Sequence, residues 1–233
     1  MLTSYVYNIQ EKFLYYRIIK MVKFRKKEVE IISNVINKIV FKRATNFFIL
    51  GVALTVIATI ITFVINPNLK EIMEGVGNRL PDQIKESTGI EKVWSFIINN
   101  AFIVPLQMFI LALVPIQFLY VISIILTVSL PGILFGVGLQ VDFQKGFGVI
   151  ISSIPHYFFE IFAFCLFAAI LFELNQSIRI KLKNIFKKDK ERVSLSKKIL
   201  EVIKIYVVLT LPIMIIAAFL ETYIADIILD LFH

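Results

Sequence analysis

The chain has 233 residues, 58% of them hydrophobic and only 18% charged, yet its formal net charge is +8. A soluble domain holds roughly 45–50% apolar and about 25% charged residues, so a soluble enzyme, a disordered tail and a disulfide scaffold are all excluded as descriptions of this composition. A mean hydropathy of +0.82 points to lipid as the missing solvent.

Taken in chain order, residues 1–46 form a basic segment. Positions 1–45 alone carry ten Lys/Arg against three Glu. Ile31, Ile32, Val35, Ile36, Ile39 and Val40 recur there at helical spacing, with Asn34, Asn37, Lys38 and Lys42 elsewhere on the wheel. This is the profile of an amphipathic helix in the headgroup plane or packed on the ends of a bundle. Phe47–Ile65 is uncharged over 19 residues, about 28 Å as a helix, enough for one crossing. No small-residue cleavage site follows it, so it reads as a retained span. The polar stretch 66–93 is read as an outer loop with one or two short helices.

Residues 94–138 contain no charge, which suits two spans (94–114 and 117–138) with a turn at Pro115 and Gln117. A fourth span is expected at 149–172. The fifth is expected at 199–220, with Lys204 reaching toward the interface and Tyr206 and Tyr223 near its edges. Five of the seven prolines (Pro105, Pro115, Pro131, Pro155 and Pro212) fall within or between spans 2 to 5, so these read as kinked or broken helices. The expected fold is therefore all-α, a polytopic membrane bundle of about five helices (residues 47–233) behind an amphipathic cytoplasmic segment (1–46).

The charge sets the orientation. Residues 174–198 carry nine basic and two acidic residues, whereas 66–93 and 221–233 are neutral to acidic. Basic loops face the cytoplasm, which puts the amino terminus and 174–198 inside and the carboxyl terminus outside. The basic blocks are then expected to meet the anionic inner leaflet, and no nucleic-acid partner follows from them.

Polar residues inside a bilayer are costly and therefore informative. Asn99, Asn100 and Gln107 lie on span 2, with Gln107 seven residues after Asn100 on the same helical face. Their amides either hydrogen-bond a neighbouring helix or line a polar cavity. Ser152, His156 and Glu160 follow at i, i+4 and i+8 on span 4, placing a carboxyl group near mid-bilayer. An interhelical lock, with His156 and Glu160 bonded to each other and to Asn100 or Gln107, competes with a proton relay or ligand site. Gly132 and Gly136 form a small-xxx-small seam for close helix approach, either within the chain or between subunits.

No catalytic site is expected. Ser152 or Ser153 next to His156 lacks an oxyanion hole and an orienting base. Metal binding would need more than one His/Glu pair, and His233, the other histidine, lies at the far terminus. There is no phosphate-binding loop, so any ATP-driven process needs a partner chain, and no cofactor is expected.

Ile97-Ile98-Asn99-Asn100, then Gly132 and Gly136, then Pro155-His156-x-x-x-Glu160-x-x-Ala163 resembles the stage II sporulation protein M-like membrane family over about residues 95–180. Pro131 stands where that pattern has asparagine, and Tyr157 where it has glycine. The resemblance implies an all-helical integral membrane protein without established catalytic activity. It also implies either a scaffold or assembly component, working with other membrane or cell-wall proteins, or a transport or bacteriocin-immunity subunit acting with an ABC transporter. Self-association is a further expectation.

Overall fold

In hydrocarbon every backbone N–H and C=O must find its partner within the chain, and an apolar run does so by becoming a helix. The computed structural model describes residues 38–65, 88–185 and 194–232, and among these there are helices and turns but no strand. Among the described residues five helices are long and apolar enough to cross a membrane: α1 (Lys38–Ile65), α2 (Gly89–Leu113), α3 (Val121–Val141), α4 (Phe143–Lys183) and α5 (Leu195–Asp230). The fold is thus the expected all-α polytopic bundle, and Val40–His233 forms one compact unit. Residues 1–37, which hold most of the amphipathic segment, lie outside the described residues, as do 66–87, 186–193 and His233.

Helix α4 is the central element. In its most apolar stretch 61% of residues are buried, against 17–33% in the other four helices. Residues 163–171 are buried without interruption, so this stretch is walled by protein on all sides while the other helices keep a lipid face. Ile49, Ile57, Ile60, Leu106, Ile110 and Leu126 are among the large side chains on those outer faces, as expected where lipid replaces water.

The helix ends differ from the spans read in the sequence. Residues 139–148 are not a loop, because α3 runs to Val141 and α4 begins at Phe143. Asp142 makes the connection alone and caps α4 by accepting a hydrogen bond from the Lys145 amide at 3.0 Å. The glycines let the two helices close on each other: a Cβ on Gly146 would lie 2.5 Å from the Gly138 carbonyl carbon. Part of the basic segment 174–198 is also helix, since α4 continues to Lys183 and α5 starts at Leu195. Spans 2 and 5 likewise begin early, at Gly89 and Leu195.

Proline acts as expected in α2 and α5. A π-helical segment, Ile97–Ile103, immediately precedes Pro105, and another, Tyr206–Thr210, precedes Pro212. Proline has no N–H to give the carbonyl four residues back, which for Pro105 is that of Ala101. The Tyr206 hydroxyl of α5 donates to the Ala101 carbonyl, so a donor from another helix takes the missing place. Tyr206 is therefore half-buried against α2 and α4, its ring 5.3 Å from that of Phe167, and not at a span edge. Pro131 and Pro155 differ again: α3 and α4 continue through them.

Helix α1 packs through a small-residue stripe, Val40, Ala44, Gly51, Thr55 and Thr62. Thr55 Oγ1 donates to the Val128 carbonyl of α3 at 2.9 Å and hydrogen-bonds the Tyr157 hydroxyl of α4, so one side chain ties three helices. Thr55→Val keeps the shape and should cost about 1 kcal/mol of bundle stability. A double-mutant cycle with Tyr157→Phe should return a coupling of about 0.6 kcal/mol, as is usual for such bonds in bilayers. Zero coupling would mean the contact carries no energy.

Candidate functional site

Helix α4 presents Ser152, His156 and Glu160 on one stripe, as its periodicity requires. Ser152 is buried and its hydroxyl donates to the Val149 carbonyl of its own helix at 3.0 Å. His156 and Glu160 are half-buried. They form no hydrogen bond with each other among the described residues, and His156 Nδ1 is buried without a partner.

The stripe is met by α5. The π-helical segment Leu220–Ile224 packs on α4, and the first helical stretch of α2 packs on that segment. Glu221 thereby comes within electrostatic reach of Glu160, and Lys92 of α2 within reach of both Glu221 and His156. The site is thus a cluster of four ionisable groups from three helices, two of which sequence reasoning did not select. In the sequence Glu221 falls in the acidic stretch 221–233. The signal was nevertheless present: Met214, Ala217, Ala218, Glu221 and Thr222 recur at helical spacing, and the other four are buried. No comparable signal marks Lys92.

The remaining predicted residues lie elsewhere. Asn99 and Asn100, in the π-helical segment of α2, bond one another through Asn99 Nδ2 and Asn100 Oδ1 at 2.6 Å. Gln107 is exposed on the outer face of α2. The wider π-helical turn between Asn100 and Gln107 upsets the seven-residue face relation that an unbroken α-helix would keep. Gly132 and Gly136 sit against α1, where added Cβ atoms would fall 2.6 Å from the Thr55 carbonyl oxygen and from the Thr62 Cβ. Among the described residues no group of three His, Cys, Asp or Glu side chains is placed to hold a metal ion. Cys165 is a buried free thiol.

A second polar system closes the opposite end of the bundle. Asn175 Nδ2 donates to the carbonyls of Ala112 and Val114 at 3.0 and 2.7 Å, holding the turn between α2 and α3. That turn contains Phe118 at φ 68°, a conformation a bulky residue seldom adopts. Arg179 binds Asn175 Oδ1 at 3.1 Å and Gln117 Oε1 at 3.0 Å. Arg43 donates to the Ala169 carbonyl at 3.2 Å and lies 3.9 Å over the Phe172 ring. Glu173 pairs with Lys198 at 3.2 Å, and Lys198 with Glu201 at 2.8 Å. Residues of both basic segments therefore meet at one end.

These features define a polytopic helical membrane protein with a half-buried ionisable cluster shared by three of its helices. The sequence profile described as stage II sporulation protein M matches residues 44–226, and the chain belongs to that family. The match takes in most or all of each of the five helices. No curated protein and no solved structure matches the chain.

Proposed function

We propose that the protein is a non-enzymatic scaffold or assembly component of the bacterial cell membrane, with its amino terminus in the cytoplasm and its carboxyl terminus outside. The observation that carries this reading is the use made of polar side chains. Arg43, Thr55, Gln140, Asn175 and Tyr206 all donate to backbone carbonyls of another helix or of the turn beside it. Such bonds stiffen a bundle and leave its outer surface to partners and lipid. Two lateral grooves, of about 350 and 510 Å³, are lined by apolar side chains, almost wholly in the first and with Thr55, Thr59, Ser153 and Tyr157 among them in the second, which suits neighbours in the bilayer better than an aqueous path. Orientation rests on the positive-inside rule, and the basic end then faces the anionic inner leaflet.

The ionisable cluster favours a second reading, a transport or bacteriocin-immunity subunit acting beside an ABC transporter. Half-buried ionisable groups brought together from three helices are what a proton or polar-ligand site needs. His156→Ala, Glu160→Gln and Glu221→Gln separate the two. For a scaffold, each should lower folded abundance in membranes severalfold, and any loss of phenotype should track that abundance. Unchanged abundance with loss of a proton-coupled or peptide-tolerance phenotype would overturn the scaffold reading. Affinity capture from membranes gives a further check: cell-wall proteins support the scaffold, a nucleotide-binding transporter the alternative.

A further inference from the structure

Among the described residues eight carboxamides lie on the five helices; Asn46, Gln144 and Gln176 are exposed within three residues of the charged Arg43, Lys145 and Arg179, and four of the remaining five are accounted for. Asn99 and Asn100 bond each other, Gln140 donates to the Thr62 and Phe63 carbonyls at 3.0 and 2.7 Å, and Asn175 holds the α2–α3 turn. Gln107 has no hydrogen-bond partner among the described residues and is exposed. It is not an interfacial residue. Ile103, Leu106 and Ile110 surround it, 43–59% exposed, and the turn beyond α2 still presents Val114, Ile116 and Phe118 outward. Gln107 thus lies about 9 Å deeper than Leu113, the end of the helix. Exposed hydroxyls offer no parallel, since Ser129 donates to the Ile125 carbonyl of its own helix at 2.7 Å, an arrangement a glutamine amide does not share.

An amide facing hydrocarbon without a partner is costly, by several kcal/mol for each unsatisfied group. We infer that this face of α2 is covered by a second copy of the chain, joined through Gln107. A carboxamide carries both donors and an acceptor, so two of them form a reciprocal pair. In a two-fold dimer with its axis along the membrane normal, position 107 of each copy lies at the same depth and faces its mate. The apolar groove lined by Phe102, Leu106, Phe109, Phe167, Val202 and Tyr206 borders the same helix and gives the partner helix a place to seat. The glycine seam on α3 is not available for this contact, because α1 already fills it.

The test uses the full chain in its membrane. Cysteines at Ile103 or Ile110, one turn either side of Gln107, should cross-link on oxidation to a species of twice the 26.8 kDa chain mass. A cysteine at Ile57, which is 50% exposed on α1, should not. Adding Gln107→Leu should lower the cross-linked fraction about tenfold, whereas Gln107→Asn should hold it within about threefold, a range consistent with interhelical amide bonds in bilayers. Leucine at a lipid-facing position leaves the fold alone, and unchanged abundance checks this. Cross-linking no greater than at Ile57, insensitivity to Gln107→Leu, or cross-linking to a different protein would each overturn the proposal.

Discussion

Leucine at position 132 is expected to leave no folded bundle in the membrane, and even alanine should weaken it. A Cβ on Gly132 falls 2.6 Å from the Thr55 carbonyl oxygen and 2.7 Å from the Ala58 Cβ, both on α1. Backbone atoms of a neighbouring helix cannot yield as a side-chain tip can, so α1 and α3 must separate. Separation strains the Thr55 bond to the Val128 carbonyl on the same seam. Overpacking by one methyl group costs about 1–3 kcal/mol, and three further carbons exceed what a marginally stable bundle tolerates. Gly51→Ala provides the contrast. Its Cβ would meet Ile161 and Val128 side chains at 3.5 Å, an ordinary contact, and alanine is the better helix former by roughly 1 kcal/mol. Unfolding midpoints in bilayer-like discs should therefore fall for Gly132→Ala and hold or rise for Gly51→Ala. Equal midpoints for Gly132→Ala and the parent would show that the close approach does not exist.

The second large effect is expected at Asn175. Its side chain is 1% exposed and supplies donors to two carbonyls at the end of α2, at 3.0 and 2.7 Å. The last carbonyls of a helix have no partner within it, and the bond to Ala112 is buried. Asn175→Leu leaves the Ala112 carbonyl bare and the Val114 carbonyl with the Ile116 amide at 2.8 Å as its remaining donor, a loss of about 1–3 kcal/mol. Asn175→Asp is nearly isosteric but offers oxygen where N–H is needed, so it should be at least as damaging despite the nearby Arg179. Unfolding temperatures should fall by about 5–10 °C for either variant, and limited proteolysis should begin to cut near residues 114–120. An aspartate variant as stable as the parent would remove the clamp from the account.

How far the sequence could be read depended on which solvent each residue met. Uncharged runs at 47–65 and 94–138 could only be membrane helices, and Pro115 with Gln117 marked their turn because proline ends a helix. Boundaries were harder. Asp142 serves both as the whole connection and as the cap of α4, and hydropathy does not report caps. Ser152, His156 and Glu160 share one stripe of α4, which follows from period alone. Their partners were not legible. Glu221 resembled a tail acid until its spacing from Met214 and Ala217 was set against α4, and Gln107 was assigned to the interior because an unbroken α-helix was assumed through Asn100.

By itself the sequence determined the solvent, the helical class, the five crossings and the asymmetry of charge between the two ends. Each is set by composition or by one-dimensional period, and the backbone has no alternative to a helix in lipid. Only the tertiary structure decided which helix is central, that Tyr206 replaces the donor proline removes from α2, that Lys92 and Glu221 join His156 and Glu160, and that Gln107 faces outward. Those outcomes depend on how the helices rotate and cross, which is settled by contacts as local as Gly132 against Thr55.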